Sequence, residues 1–148
     1  PDCTLTMIGP DRGLMEQCKK LANSLGVSKD ISFLGSVPNN ELYKYYQSHS
    51  VYLNTTSYES FGVAMVEAAS CGIPIVSNNV GEIPYLWEDK NSILLVEDNT
   101  IESYVDAVSQ LFEDPLFASK MALSAREKSM TFNWSILKSD WLRLINGE

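Results

Sequence analysis

The sequence predicts an α/β domain, a doubly wound parallel sheet of about five strands with helices on both faces. Three observations carry that prediction. Short apolar runs alternate with helical patterns along the chain. The runs are apolar throughout instead of alternating with polar residues, as in strands covered on both faces. The 148 residues, 45% apolar and 20% charged, suit a single domain with a core of its own.

Leu5 to Ile8 reads as a buried strand ending at Gly9-Pro10. Leu14, Cys18, Leu21 and Leu25 mark one face of a helix, which Gly26 is placed to stop in a left-handed cap. Ile31 to Leu34 is the next strand, closed by Gly35. Asn39 or Asn40 caps a short helix carrying Leu42, Tyr43 and Tyr46, and Val51 to Leu53 is the third strand. After a loop over 54–61, Val63 to Cys71 reads as a helix with Gly72 behind it. Ile73 to Val76 is the fourth strand with Pro74 near its beginning, Gly81 to Trp87 makes one or two helical turns, and Ile93 to Val96 is the fifth strand. Asn99 or Thr100 caps a helix bearing Ile101, Val105, Val108 and Leu111. Asp114-Pro115 opens another, with Asp as N-cap and Pro first. Asn133 to Ile145 is the closing helix, and Trp134, Leu137, Trp141, Leu142 and Leu144 are expected to bury it against the domain, with part of that face exposed if the helix crosses to a second domain. Ligands of such sheets bind beyond the carboxyl ends of the strands, so the loops after Ile8, Leu34, Leu53 and Val76 are where chemistry is expected.

Eleven basic residues against nineteen acidic ones give a net charge of −8. That surface repels a phosphate backbone and no Lys/Arg stripe offsets it, which argues against nucleic acid as a partner. Cys3, Cys18 and Cys71 are far apart, with no CxxC or Cys/His spacing, so neither a zinc site nor a disulfide framework is expected. Reduced thiols of a cytoplasmic protein are the expectation. No run approaches the ~20 apolar residues of a membrane span, and no signal-peptide pattern opens the chain. Pro1-Asp2 leads almost directly into an apolar run, so the N-terminus is expected to be a boundary within a longer protein.

The chemistry-bearing block follows the third strand, from Asn54 through Glu59, Phe61-Gly62-Val63 and Glu67 to Gly72-Ile73-Pro74-Ile75-Val76. Glu59 falls on the loop at the sheet's carboxyl edge, and Glu67 about five residues into the helix, ~7–8 Å along its axis from Gly62. Between them the helix start offers unpaired N–H groups and roughly half a positive charge. This is an anion site with an acid on either side, and Gly62 lets a phosphate approach bare backbone. Spacing alone is weak evidence, because an acid near a helix start commonly serves only as a dipole partner.

The surrounding pattern is more specific. The block resembles the E-x7-E region of the group 1 (family 4) retaining glycosyltransferases, whose two facing Rossmann-like domains make the GT-B fold. Thr56, Glu59, Phe61, Gly62, Glu67, Ala68, Gly72, Pro74 and Val76 match the family pattern, as do Ile8-Gly9-Pro10, Phe33 to Val37 and Val80 to Pro84. The resemblance implies that residues 1–148 are the C-terminal nucleotide-sugar-binding domain, without the N-terminal acceptor domain and the domain's own first strand and helix. It implies that Glu59, the catalytic candidate, contacts the donor sugar's hydroxyls near the reacting carbon, and that Glu67 bonds the ribose hydroxyls. Phe61, Gly62 and Val63 would offer backbone amides to sugar or phosphate, with Thr56 beside them. Gly35 to Val37 would border the base, and Gly9 would line the floor. The implied reaction transfers sugar from a nucleotide-diphosphate donor with retention, without a metal or other cofactor, in polysaccharide, lipopolysaccharide or glycolipid synthesis. The full-length protein would then be cytoplasmic, with room for peripheral association at the membrane's inner face. A nucleotide-sugar-binding or epimerase-type protein on the same fold is the alternative.

Two departures stand out. The family's Arg/Lys pair, which reaches the diphosphate, has no counterpart here, and Glu82 and Tyr85 replace a common Gly and Glu. The second bears on the local loop shape and the donor's identity; without the basic pair and the acceptor domain, transfer by this chain alone is expected to be absent. His49 reads as a connecting residue, Tyr43, Tyr45 and Tyr46 as half-core packing, and Glu88-Asp89 as a solvated loop.

Overall fold

The computed structural model describes residues 3–147. In order, these form β1 (Leu5–Ile8), α1 (Met15–Ser24), β2 (Ile31–Gly35), α2 (Asn39–Ser48), β3 (Tyr52–Asn54), α3 (Val63–Ser70), β4 (Ile75–Asn78), α4 (Ile83–Leu86), β5 (Leu94–Val96), α5 (Ile101–Glu113), α6 (Pro115–Met130) and α7 (Trp134–Asn146). All strand pairs are parallel, and the α/β alternation stands within a residue or two of its expected positions. The pairing makes two ladders, β1–β2 and β3–β4–β5, where one sheet was expected. The chain divides correspondingly into two compact units, one up to Leu42 and one from Tyr43 onward.

In the first unit, α1 starts where the Asp11 carboxylate accepts the amides of Gly13, Leu14 and Met15 at 2.7, 3.1 and 3.2 Å. These bonds, that of Gly13 foremost, hold the Asp11 carboxyl below the usual carboxylate range. Past Leu25, Gly26 stands at φ +74° and the Val27 amide reaches the Ala22 carbonyl at 3.0 Å, the cap the glycine predicted. The burial expected here is not found. Leu14, Leu21 and Leu25 are exposed, as are Leu5, Met7 and Ile8 of β1, and Ala22 is the one buried residue of this unit among those described. A two-stranded ladder has too little surface to cover its own faces. Helix α2 begins at Asn39 itself, so neither asparagine is the residue capping it from outside.

The second unit is built about β4, buried along its whole length. Ile75 joins a cluster with Met65, Ala68, Ala69, Ile73, Ile83, Trp87, Ile93 and Ala125, whereas Val76 joins one with Leu94, Val96, Leu111, Ala118 and Met121. Successive strand side chains point to opposite faces, so these are two cores, one on each side of the ladder. Helices α3 and α4 contribute to the first and α5 to the second, while α6 places Ala125 in one and Ala118 and Met121 in the other.

Thr100, and not Asn99, caps α5, its hydroxyl accepting the Ser103 amide at 3.3 Å. Asp114 caps α6 as expected, accepting the Phe117 amide at 2.9 Å, an interaction typically worth about 1 kcal/mol. Ile101 and Val105 of α5 lie in solvent although Leu111 is buried. The expectation for α7 is overturned: none of its described residues is buried, and Trp134 and Trp141 are 63% and 52% exposed. Amphipathic spacing marks a face able to pack without specifying what covers it.

Candidate functional site

Strand β3 delivers the chain at Asn54 into a loop that turns at Gly62 into α3. Gly62 takes the left-handed conformation, φ 77°, and no side chain caps the helix. Its carbonyl accepts the amides of Met65 and Val66 at 2.8 and 3.1 Å. The amides of Val63 and Ala64 have no acceptor among the described residues, which leaves the helix start open to an anion.

Both glutamates are half-buried, Glu59 three residues before Gly62 and Glu67 on the second turn of α3. Glu59 folds back on its own loop, its Oε1 accepting the amides of Ser60 and Phe61 at 3.0 and 3.2 Å. Of the amides expected to face a ligand, that of Phe61 is thus engaged by Glu59, and that of Val63 is open. Glu67 accepts the Tyr46 hydroxyl on Oε2 at 3.3 Å. Burial pushes the Tyr52 phenol up to about 12, and the charges of both Glu59 and Glu67 add to the rise. One side chain of β3 therefore feels both acids.

The loop carrying Glu59 is held from behind. Asn54 donates to Ser77 Oγ at 3.3 Å and accepts the Thr56 amide at 3.3 Å. The Thr56 hydroxyl donates to the Tyr58 carbonyl at 2.7 Å, so it serves the loop's own shape. Asn78, only 1% exposed at the end of β4, donates to the Thr56 carbonyl at 2.6 Å and to Asn99 Oδ1 at 3.0 Å, and accepts the Tyr104 hydroxyl. The Glu82 amide donates to the Glu59 carbonyl at 3.1 Å. The Phe61 ring packs edge-on against Phe132, centroids 5.2 Å apart.

In the first unit, Gly9 and Gly35 line a cavity of about 280 Å³ together with Ile8, Met15 and Phe33, and the Gly9 amide donates to the Gly35 carbonyl at 2.9 Å. Val37 is half-buried and is not part of that lining. His49 is half-buried with Nδ1 2.7 Å from the Tyr45 carbonyl, consistent with a connecting role. Among the described residues no three His, Cys, Asp or Glu side chains converge as a metal site would need. No described helix is long and apolar enough to cross a membrane.

Sequence reasoning did not assign site-supporting roles to Tyr46 or Asn78. The pair Ser77-Asn78, polar at the carboxyl end of an apolar strand, was a usable signal. Tyr46 had none, because its partner lies 21 residues away.

Parallel strands alternating with helices, with a loop and an uncapped helix start after β3, define a doubly wound α/β domain. Residues 1–128 match the family described as glycosyl transferases group 1, and the chain belongs to that family. It is 32% identical over 138 residues to a D-inositol 3-phosphate glycosyltransferase of Frankia alni, covering 91% of this chain and 34% of that protein. The chain thus spans about a third of the length of such relatives. Among solved structures, Anabaena HepE in complex with UDP superposes with a TM-score of 0.89 at 21% identity, over 100% of this chain and 42% of that one. The C-terminal domain of a group 1 glycosyl transferase from Francisella tularensis superposes with a TM-score of 0.73 at 21% identity, covering 82% and 63%. These likenesses show the Rossmann-like domain of the GT-B fold.

Proposed function

We propose that this chain is the C-terminal, donor-binding domain of a two-domain retaining glycosyltransferase. In this reading the donor's diphosphate lies over the open start of α3, Glu67 bonds the ribose hydroxyls, and Glu59 turns from its own amides to the sugar's hydroxyls. Release of Glu59 would free the Phe61 amide for the same ligand. Gly9, Gly35 and Val37 are assigned to the base. The acceptor would come to the N-terminal domain, the nucleoside diphosphate would leave, and the product would be a polysaccharide, lipopolysaccharide or glycolipid. Helix-end amides and basic groups contributed from outside residues 1–148 meet the phosphate charge in this proposal, which needs no metal.

The observation that supports the reading is an uncapped start of α3 between Glu59 and Glu67 in the chain. Relatives named as glycosyltransferases and a neighbour solved with UDP support it. The test is an NMR titration of the labelled chain with UDP, GDP, ADP and their sugar conjugates. Shifts should concentrate in 61–67 and 35–37, with an affinity on the order of millimolar, ~4 kcal/mol, and should vanish in Glu67→Ala. Saturable shifts elsewhere, or none at several times that concentration, would sink the assignment. Transfer by the isolated chain is expected to be undetectable, and turnover on an acceptor panel would contradict that.

A further inference from the structure

We propose that Tyr46 is a positioning residue for Glu67, holding one carboxylate oxygen so that the other is presented to a vicinal diol. The inference rests on the reading of Glu67 given above.

A glutamate has three rotatable bonds, and fixing it in one arrangement costs up to about 2 kcal/mol of rotamer entropy. Glu67 stands on the second turn of α3, half-buried, where its backbone alone does not choose among rotamers. The Tyr46 hydroxyl donates to Oε2 at 3.3 Å, while Oε1 has no partner among the described residues. One oxygen is tethered and its neighbour is left to accept.

The tether is itself fixed. The Tyr46 ring meets Tyr52 edge-on, centroids 5.8 Å apart at 71°, and both rings pack against the first core. Tyr52 is locked in β3, its Cα paired with Ile75 of buried β4. The order of support runs from β4 through Tyr52 and Tyr46 to the carboxylate. A phenylalanine would pack against Tyr52 equally well, so the hydroxyl contributes nothing to the core that the ring does not. Burial, with Tyr52 and Glu67 beside it, holds the Tyr46 phenol above its ordinary value of 10. At neutral pH it is therefore a protonated donor.

The experiment compares wild type, Tyr46→Phe, Glu67→Ala and the double variant. The probes are UDP, GDP and ADP, with the 2′,3′-dideoxy form of whichever binds best. Tyr46→Phe should leave the thermal midpoint unchanged and weaken the ribose-bearing probe roughly tenfold, the scale of one hydrogen bond to a charged group. The penalty should disappear for the dideoxy probe and in the Glu67→Ala background. A merely structural tyrosine would weaken both probes alike, and that result would overturn the proposal. If Glu67→Ala leaves the probe's affinity unchanged, or no probe binds, the reading of Glu67 fails first. If Glu67→Ala weakens binding and Tyr46→Phe does not, the positioning role alone fails. A measurement without ligand reads the contact directly: with tyrosines labelled at Cζ, Glu67→Gln should lower the titration of Tyr46. An unmoved titration would also overturn the proposal.

Discussion

Gly81→Ala should destabilise the protein by about 3 kcal/mol and displace the loop that carries Glu59. Two costs combine. Gly81 stands at φ +57°, a conformation that an alanine adopts only with strain. A Cβ built there would lie 2.0 Å from the Glu59 carbonyl oxygen, and backbone cannot swing away as a long side chain can. The same carbonyl accepts the Glu82 amide at 3.1 Å, so relief of the clash breaks the bond that fixes Glu59. Gly72→Ala is the control. Gly72 has φ +76° but open space around its missing Cβ, so it should show the conformational cost alone, about 1 kcal/mol. Urea midpoints measure both. Equal losses would mean that the close approach to Glu59 carries no weight.

Met65→Ala should cost 2–5 kcal/mol, roughly, through lost burial and the cavity left behind. Met65 is 0% exposed and belongs to the core on the α3 side of β4. It is also the seat of the site. Its sulfur accepts Asn54 Nδ2 at 3.3 Å and would lie 3.1 Å from a Cβ placed on Gly62. Truncation therefore removes what supports both the loop after β3 and the first turn of α3, and under the proposed function nucleotide binding should weaken along with stability. Met65→Leu keeps most of the volume and should cost under about 1.5 kcal/mol. If leucine proved as harmful as alanine, the sulfur's hydrogen bonds, and not packing, would be responsible.

What could be read from sequence was what is local in sequence. Asp114-Pro115 announced the start of α6, Gly26 the end of α1, and Gly62 with Glu59 and Glu67 the helix start and its acids. Strand β3 came one residue early, because Asn54 looked like loop while its backbone pairs with Ser77. The supports of the site were not legible, since Tyr46 reaches Glu67 across 21 residues and Asn78 reaches Thr56 across 22. Burial of α7 and β1 was misjudged for a related reason. Apolar spacing records a propensity to be covered, and the cover belongs to whatever packs there.

The lopsided placing of buried side chains has a dynamic consequence. Ala22 is the one buried residue among the described residues up to Leu42, whereas both cores lie beyond it. Backbone amides of β1 and β2 should therefore exchange with deuterium through low-energy local openings, well before those of β4, whose exchange should wait for global unfolding. A heat-denaturation curve would be dominated by the second unit. A compound seated between Gly9 and Gly35 could then bind and leave the melting temperature still, and slowed deuteration of β1 and β2 would be its visible trace.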